Sequence, residues 1–385
     1  MSDFDDIRPY YDHEVRSTLD RILADPELVQ AVTHLTFPKT ENWLGWLWRP
    51  LIKTKLKRDL APVKDVMGFQ QIVEKYMSKM IDSRVKSVTV SGLDKLDKKQ
   101  AYLFISNHRD IAMDPAFINW VLYHNESNTL RIAIGDNLLT KPFASDLMRL
   151  NKSFIVNRRA KAPREKLKAA KHLSAYIHHS IVNEHSSIWI AQREGRAKDG
   201  CDKTNSAVLG MIALNKPKTE SLSDYIKSLH IVPVSISYEL DPCDAAKARE
   251  LYLQQKDGSY QKEEHEDVRS IAMGIAGQKG NIHLAFGEEM MSDYQDTDDL
   301  VKELDQQILN NYVLHATNCF AYEILFNQVP AVKYSSQQLN YDPSQLKEEK
   351  ATFINRMQAI PQEYRDIALA IYANPVKNKL NPNAQ

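Results

Sequence analysis

Between Val85 and Gly287 short apolar runs alternate with helical patterns, and no other feature restricts the fold of this chain as strongly. The runs are Tyr102–Ile105, Arg131–Ile134, Ser153–Val156, Ile188–Ala191, Ile231–Ile236 and Ile282–Phe286. Each is strand-length and apolar enough to be buried on both faces. Between them, Pro115–Tyr123, Arg164–Val182, Ala207–Leu214 and Ala245–Gln254 space their apolar residues as helices do. This alternation predicts an α/β fold, a mixed central sheet flanked by helices.

The flanks read differently. Residues 1–84 form an N-terminal helical region without a strong strand, and residues 85–296 the α/β domain. Residues 297–385 form a C-terminal helical region, with helices expected at Asp298–Leu314, Phe320–Asn327, Gln345–Met357 and Gln362–Ala373. The tail Asn374–Gln385, rich in Asn, Pro and Lys, is expected to fray.

Charge narrows the classes of partner. Lys plus Arg and Asp plus Glu both number 50, which argues against a general nucleic-acid binder. Cys201, Cys243 and Cys319 are far apart and lack metal-ligand spacing, as expected of reduced thiols in the cytoplasm. The acidic start, Met1 to Asp6, lacks the apolar core of a signal peptide. No apolar run reaches about 18 residues, so no transmembrane helix is expected.

Candidate chemistry concentrates where strands end. Asn107–Pro115 follows the first apolar run and carries His108, Asp110 and Asp114. Asp114-Pro115 reads as a helix start, Asp as N-cap and Pro as first helical residue. Ligands bind at the carboxyl edge of open α/β sheets, and a His oriented by a carboxylate can act as a general base. Read alone, the same loop is also compatible with an ordinary cap and a His bonded to backbone.

Three further segments follow. Asn151–Arg159 ends in Arg158 and Arg159, whose forked guanidinium groups suit phosphate oxygens. The next basic residues, Lys161, Arg164, Lys166, Lys168 and Lys171, run into a helix, where the last three read as a solvated face. Ile188–Gly200 carries Glu194, Gly195, Arg196 and Lys198; Gly195 admits a close ligand, while Arg196 and Lys198 can clamp an anion. Pro233, inside His230–Glu239, points to an edge, a bulge or a strand end.

In this order the four segments resemble the four blocks of the glycerophospholipid acyltransferase superfamily, over residues 85–290. The resemblance implies that His108 is the general base, oriented by Asp114. It assigns Arg158, Arg159, Glu194, Gly195, Arg196 and Pro233 to substrate binding, and Arg109 and Lys198 are further candidates for that role. Two departures stand out. Five residues separate His108 from Asp114, where the family usually has four, leaving Asp110 as an alternative partner. Arg196 directly follows Gly195, whereas the usual third block has a residue between. Gly-Arg-Ala-Lys-Asp-Gly is closer to the Gly-Arg-Ser-Arg-x-Gly of glycerol-3-phosphate acyltransferases. The protein-kinase loop is excluded because Pro115 occupies its Asn position, and the serine-hydrolase Gly-x-Ser-x-Gly is absent.

A lipid substrate requires contact with a bilayer. Trp43, Trp46 and Trp48 lie beside Leu44, Leu47, Leu51 and Ile52, followed by Arg49, Lys53, Lys55, Lys57 and Arg58. Such a segment (residues 43–58) suits the membrane interface, although a helix packed on the core would use the same residues. Pro50 is expected to divide it into two short helices. The expectation is a cytoplasmic O-acyltransferase, peripheral to the inner face of the membrane. It would move a fatty acyl group from acyl-CoA or acyl-carrier protein to a hydroxyl of glycerol phosphate or lysophosphatidic acid. The co-substrate supplies the acyl group, and neither a metal nor another cofactor is expected. A catalytically silent lipid- or phosphate-binding protein and an acyl-thioesterase are the alternatives.

Overall fold

The computed structural model describes residues 3–37, 41–139 and 141–381. Four helices come first: α1 (Asp12–Ala24), α2 (Pro26–Thr36), α3 (Glu41–Leu60) and α4 (Val66–Arg84). They enclose a small core of Val15, Leu19, Ile22, Leu60, Val66 and Phe69. Asp25 and Asp65 cap α2 and α4 by accepting backbone N–H bonds from Glu27 and Gly68, which supplies orphan donors at the helix starts. Contrary to the two helices expected, α3 runs unbroken through Pro50. Proline removes one helical hydrogen bond, and the helix continues on either side of the gap.

The strands are β1 (Val85–Ser91), β2 (Leu103–Ser106), β3 (Arg131–Gly135), β4 (Ser153–Val156), β5 (Ile188–Ala191), β6 (Ile231–Tyr238) and β7 (Gly280–Phe286). They form one seven-stranded sheet in the order β1-β7-β6-β2-β5-β3-β4. All neighbours are parallel except β6 and β7, so the sheet is mixed as expected. Alternate residues feed opposite faces. Leu103 and Ile105 join one core with Ile188, Ile190 and Ile231, while Phe104 joins the other with Trp189, Val232 and Val234. Both faces are therefore dry, which is why these strands read as continuous apolar runs.

Around the sheet lie α5 (Met113–His124), α6 (Pro142–Leu150), α7 (Pro163–His178), α8 (Ser206–Ile212), α9 (Leu222–Ser228), α10 (Asp244–Asp257), α11 (Glu266–Ala276) and α12 (Thr297–Asn311). Then come α13 (Ala316–Phe326), a minimal hairpin of β8 (Lys333–Tyr334) and β9 (Leu339–Asn340), α14 (Lys347–Gln358) and α15 (Gln362–Leu380). The sequence reading missed β1, an edge strand whose Val-Lys-Ser-Val-Thr-Val-Ser is half exposed and forms no apolar run. It also missed α6, α9 and α11.

The expectation of a frayed tail from Asn374 is corrected. α15 continues to Leu380, with Pro375 buried and Val376 in the core it shares with α13 and α10; residues 382–385 lie outside the described residues. Burial of one face sustains the helix through its proline. The C-terminal helices share a core with Ala248 of α10 and so rest directly on the α/β layer.

Candidate active site

Because β2, β5, β3 and β4 are parallel neighbours, the loops at their carboxyl ends line one edge of the sheet. The β2 loop is fixed first. The Asn107 side chain accepts the Ile236 N–H at 2.8 Å and donates to the Ile236 carbonyl at 3.0 Å. It thereby extends the β2–β6 ladder beyond Ser106 and aims the following residue.

That residue is His108. Its Nδ1 lies 2.8 Å from Asp114 Oδ2, and its ring meets Trp189 edge-on at 5.5 Å. The His108 side chain keeps 12% of its exposure while Asp114 keeps none. Nε2 has no protein partner among the described residues, so it is the nitrogen left to meet a substrate. Asp114 Oδ2 also accepts the backbone N–H groups of Arg109 at 2.6 Å and Asp110 at 2.9 Å. Tyr238 Oη donates to the other oxygen, Oδ1, at 2.6 Å. These bonds fix the carboxylate in place, with His108 and two backbone N–H groups on one oxygen and Tyr238 on the other.

The extra residue in the first block has a structural account. α5 begins at Met113, one residue before Asp114, so Asp114 is not the N-cap and Pro115 is not the first helical residue. The capping bonds come instead from Asp110, whose Oδ1 accepts the N–H groups of Ala112 and Met113, both at 3.0 Å. Ala112 is the N-cap residue, Asp110 ties down the turn before it, and Asp114 is the histidine's partner. Burial, with the Asp114 charge beside it, pushes the Asp110 carboxyl above the usual range.

Arg158 and Arg159 leave the end of β4 exposed. Arg158 crosses the end of β3 over Gly135, where a Cβ would come within 2.9 Å of its Nε. Its Nη1 reaches Glu194 Oε1 of the β5 loop at 3.5 Å. Arg159 stays near Asp136, with Nη2 donating to the Asp136 carbonyl at 3.2 Å. Gly195 adopts φ +74°, with open space where a Cβ would point. The β5 loop then returns to the β2 loop, Ala197 N–H donating to the His108 carbonyl at 2.9 Å.

Four assigned residues sit elsewhere than expected. Arg109 turns inward, donating to Asp202 Oδ2 at 2.6 Å and to the Gly200 carbonyl at 3.3 Å, and is buried over the Tyr312 ring. Arg196 is buried with Nη2 3.5 Å from Ser270 Oγ on α11. Lys198 is ion-paired with Glu250 of α10, and burial pulls its pKa down despite that partner. Arg109 and Lys198 are thus neutralised by carboxylates, while Arg196 is buried beside a hydroxyl. Pro233 lies in a central, fully buried strand, not at an edge. Its carbonyl accepts the Gly287 N–H at 2.7 Å just after β7 ends, so its missing donor faces the point where that ladder stops.

The sequence reading did not single out Tyr238 or Lys247. A tyrosine closing the buried run Ile231–Tyr238 needs a polar partner, and that was the available signal. Lys247 gave none, since a lysine on a helix ordinarily faces water. Among the described residues, no group of three or more His, Cys, Asp and Glu side chains is arranged to hold a metal ion. No helix of the described residues is long and apolar enough to cross a membrane.

Residues 87–237 match the model of the Acyltransferase family. No curated protein matches the chain. Among solved structures, that of the 1-acyl-sn-glycerophosphate acyltransferase from Thermotoga maritima is similar at 15% identity and a TM-score of 0.37. The likeness covers 74% of this chain and 92% of that one, and is too remote to give any residue a role.

Proposed function

From the acyltransferase domain at residues 87–237, we propose that the chain transfers a fatty acyl group from a thioester, acyl-CoA or acyl-carrier protein, to a glycerol-phosphate or lysophosphatidic acid hydroxyl. The observation that carries this reading is the His108–Asp114 contact, with Nε2 unpartnered. His108 Nε2 takes the proton of the acceptor hydroxyl as its oxygen attacks the thioester carbonyl. The resulting tetrahedral species collapses, the thiolate leaves, and the imidazolium returns the proton to sulfur. Asp114 holds the Nδ1–H tautomer and stabilises the imidazolium.

Arg158 and Arg159 are the cations this reading assigns to the acceptor phosphate, Arg158 exchanging Glu194 for it. Holding the phosphate there would keep the hydroxyl oriented toward His108, converting a bimolecular encounter into a positioned one. Arg109, Arg196 and Lys198 shape the loops in this scheme and do not touch the ligand.

Access to a lipid acceptor is assigned to α3, at the cytoplasmic face of a membrane. Trp46, Leu47 and Leu51 remain 73%, 42% and 58% exposed, beside Lys53, Lys57 and Arg58. Apolar side chains flanked by cations suit an anionic interface. Trp48 does not serve here, because its ring stacks on Phe37 at 4.5 Å; the side chain of Trp43 lies outside the described residues.

The test is thiol release from a long-chain acyl-CoA, or from acyl-carrier protein, with glycerol-3-phosphate, with 1-acyl-glycerol-3-phosphate, and with neither. Acceptor-dependent release supports the transfer and names the acceptor. Equal release without acceptor supports a thioesterase instead, and no release with either donor supports a binding protein.

A further inference from the structure

Lys247 is one of the largest fully buried side chains, in a chain whose other lysines mostly face water. It projects from α10 beneath the His108 loop. Its Nζ donates to the Arg109 carbonyl at 2.7 Å and pairs with the Asp241 carboxylate. Burial works to raise the Asp241 pKa, yet Lys247 beside it holds it below the usual range.

The pair is itself tied to the C-terminal helices. The Asp241 N–H donates to Tyr372 Oη at 2.9 Å, and that hydroxyl donates to Asp244 Oδ2 at 2.8 Å. Arg356 Nε reaches the same Asp244 oxygen at 2.8 Å, and its Nη2 reaches the Asp241 carbonyl at 2.8 Å. Tyr372 lies on α15 and Arg356 on α14. A buried polar chain therefore leads from the last two helices, through Asp241 and Lys247, to the carbonyl of Arg109, the residue after His108.

Placement gives this chain a task beyond packing. Arg109 has its N–H held by Asp114 and its C=O held by Lys247. The two bonds clamp opposite ends of one residue, whose neighbour is the candidate base. Without the ammonium that carbonyl loses this partner, and the Arg109–Asp110 peptide keeps only its Asp110 N–H bond to Asp114 Oδ2, the oxygen that also meets His108. Buried ion pairs are poor sources of stability, and their better attested use is to fix one arrangement among several.

We propose that Lys247 is a positioning residue for His108, and that α14 and α15 act on the acyl transfer through it. This rests on the reading of His108 as the general base. Misplacing a reacting group by about 1 Å can cost on the order of 100-fold in rate. Folded Lys247→Ala is accordingly expected to lose about 10- to 100-fold in kcat, with the KM of donor and acceptor within about two-fold of wild type. Methylammonium, a small amine that fits the vacated volume, should restore part of the loss.

An unchanged kcat in folded Lys247→Ala, or a loss confined to KM, would overturn the proposal. If Lys247→Ala does not fold, Tyr372→Phe decides in its place. It deletes only the hydroxyl between Asp241 and Asp244, and a lowered kcat at constant KM supports the link while an unchanged kcat overturns it. His108→Ala run in parallel separates the two possible failures. An inactive His108→Ala beside an unimpaired Lys247→Ala overturns the positioning role alone, whereas an active His108→Ala removes the ground for both.

Discussion

Tyr238 Oη stands 2.6 Å from Asp114 Oδ1, on the side of the carboxylate opposite His108. The tyrosine comes from the end of β6 and the aspartate from the first turn of α5, so a strand and a helix meet at the carboxylate. Burial, with the Asp114 charge, raises the Tyr238 pKa far above that of a free phenol, and the hydroxyl remains a donor at any working pH. Tyr238→Phe removes one donor from a buried anion and should cost about 1–3 kcal/mol in unfolding free energy. Its effect on kcat should be several-fold smaller than that of Asp114→Asn, for which a loss of about 10²-fold or more is expected. Equal kcat losses in the two variants would contradict this ranking.

Arginines at strand ends divide into two classes that kinetics can separate. Arg158→Ala and Arg159→Ala should each raise the acceptor KM by about 10-fold or more and leave the donor KM unchanged, as expected on losing a charge-assisted bond to phosphate. Arg109→Met should behave otherwise. It strands the buried Asp202 and should lower unfolding free energy by about 3–5 kcal/mol. A folded Arg109→Met of normal stability and raised acceptor KM would restore Arg109 to the substrate site.

For α3 the observable is binding to vesicles with and without anionic lipid. Trp46→Ser and Leu51→Ser should each weaken partitioning by up to about 10-fold, given the apolar surface each can bury. Binding should also fall as salt rises, because each cation near the surface adds about 1 kcal/mol of attraction. Sedimentation with vesicles that does not change when Trp46→Ser and Leu51→Ser are combined would leave α3 as a packed helix.

Two buried histidines predict acid lability. Burial pushes His283 and His315 down to about 4, whereas both return to about 6.5 in an unfolded chain. Between these values the unfolded chain binds more protons than the folded one, so stability is lost as pH falls from 6.5 to 4. Fully developed, each group contributes on the order of 3 kcal/mol. His283→Gln and His315→Gln should each flatten the dependence of Tm on pH between 6.5 and 5, and an unaltered slope would contradict the assignment.

The sheet was legible because its central strands are buried on both faces, which leaves runs such as Ile188–Ala191 no reading but strand. The half-exposed β1 escaped for the opposite reason. At the candidate site, position along the chain was readable but direction was not. Arg158 and Arg109 both follow strands, yet one points to solvent and the other to Asp202. The choice between Asp110 and Asp114 turned on where α5 starts, a difference of one residue. Lys247 and Tyr372 were invisible because Arg109, which Lys247 meets, and Asp244, which Tyr372 meets, lie 138 and 128 residues away. Contacts that distant are set by how layers pack, and no local pattern records them.

The central claim is that His108 Nε2 accepts the acceptor's proton. Its most direct test is thiol release from a long-chain acyl thioester in the presence of acceptor, comparing wild type with His108→Ala of equal Tm. The account predicts a loss of about 10²- to 10⁴-fold in kcat, with donor and acceptor still bound. Acceptor-dependent release at the wild-type rate in His108→Ala would contradict it.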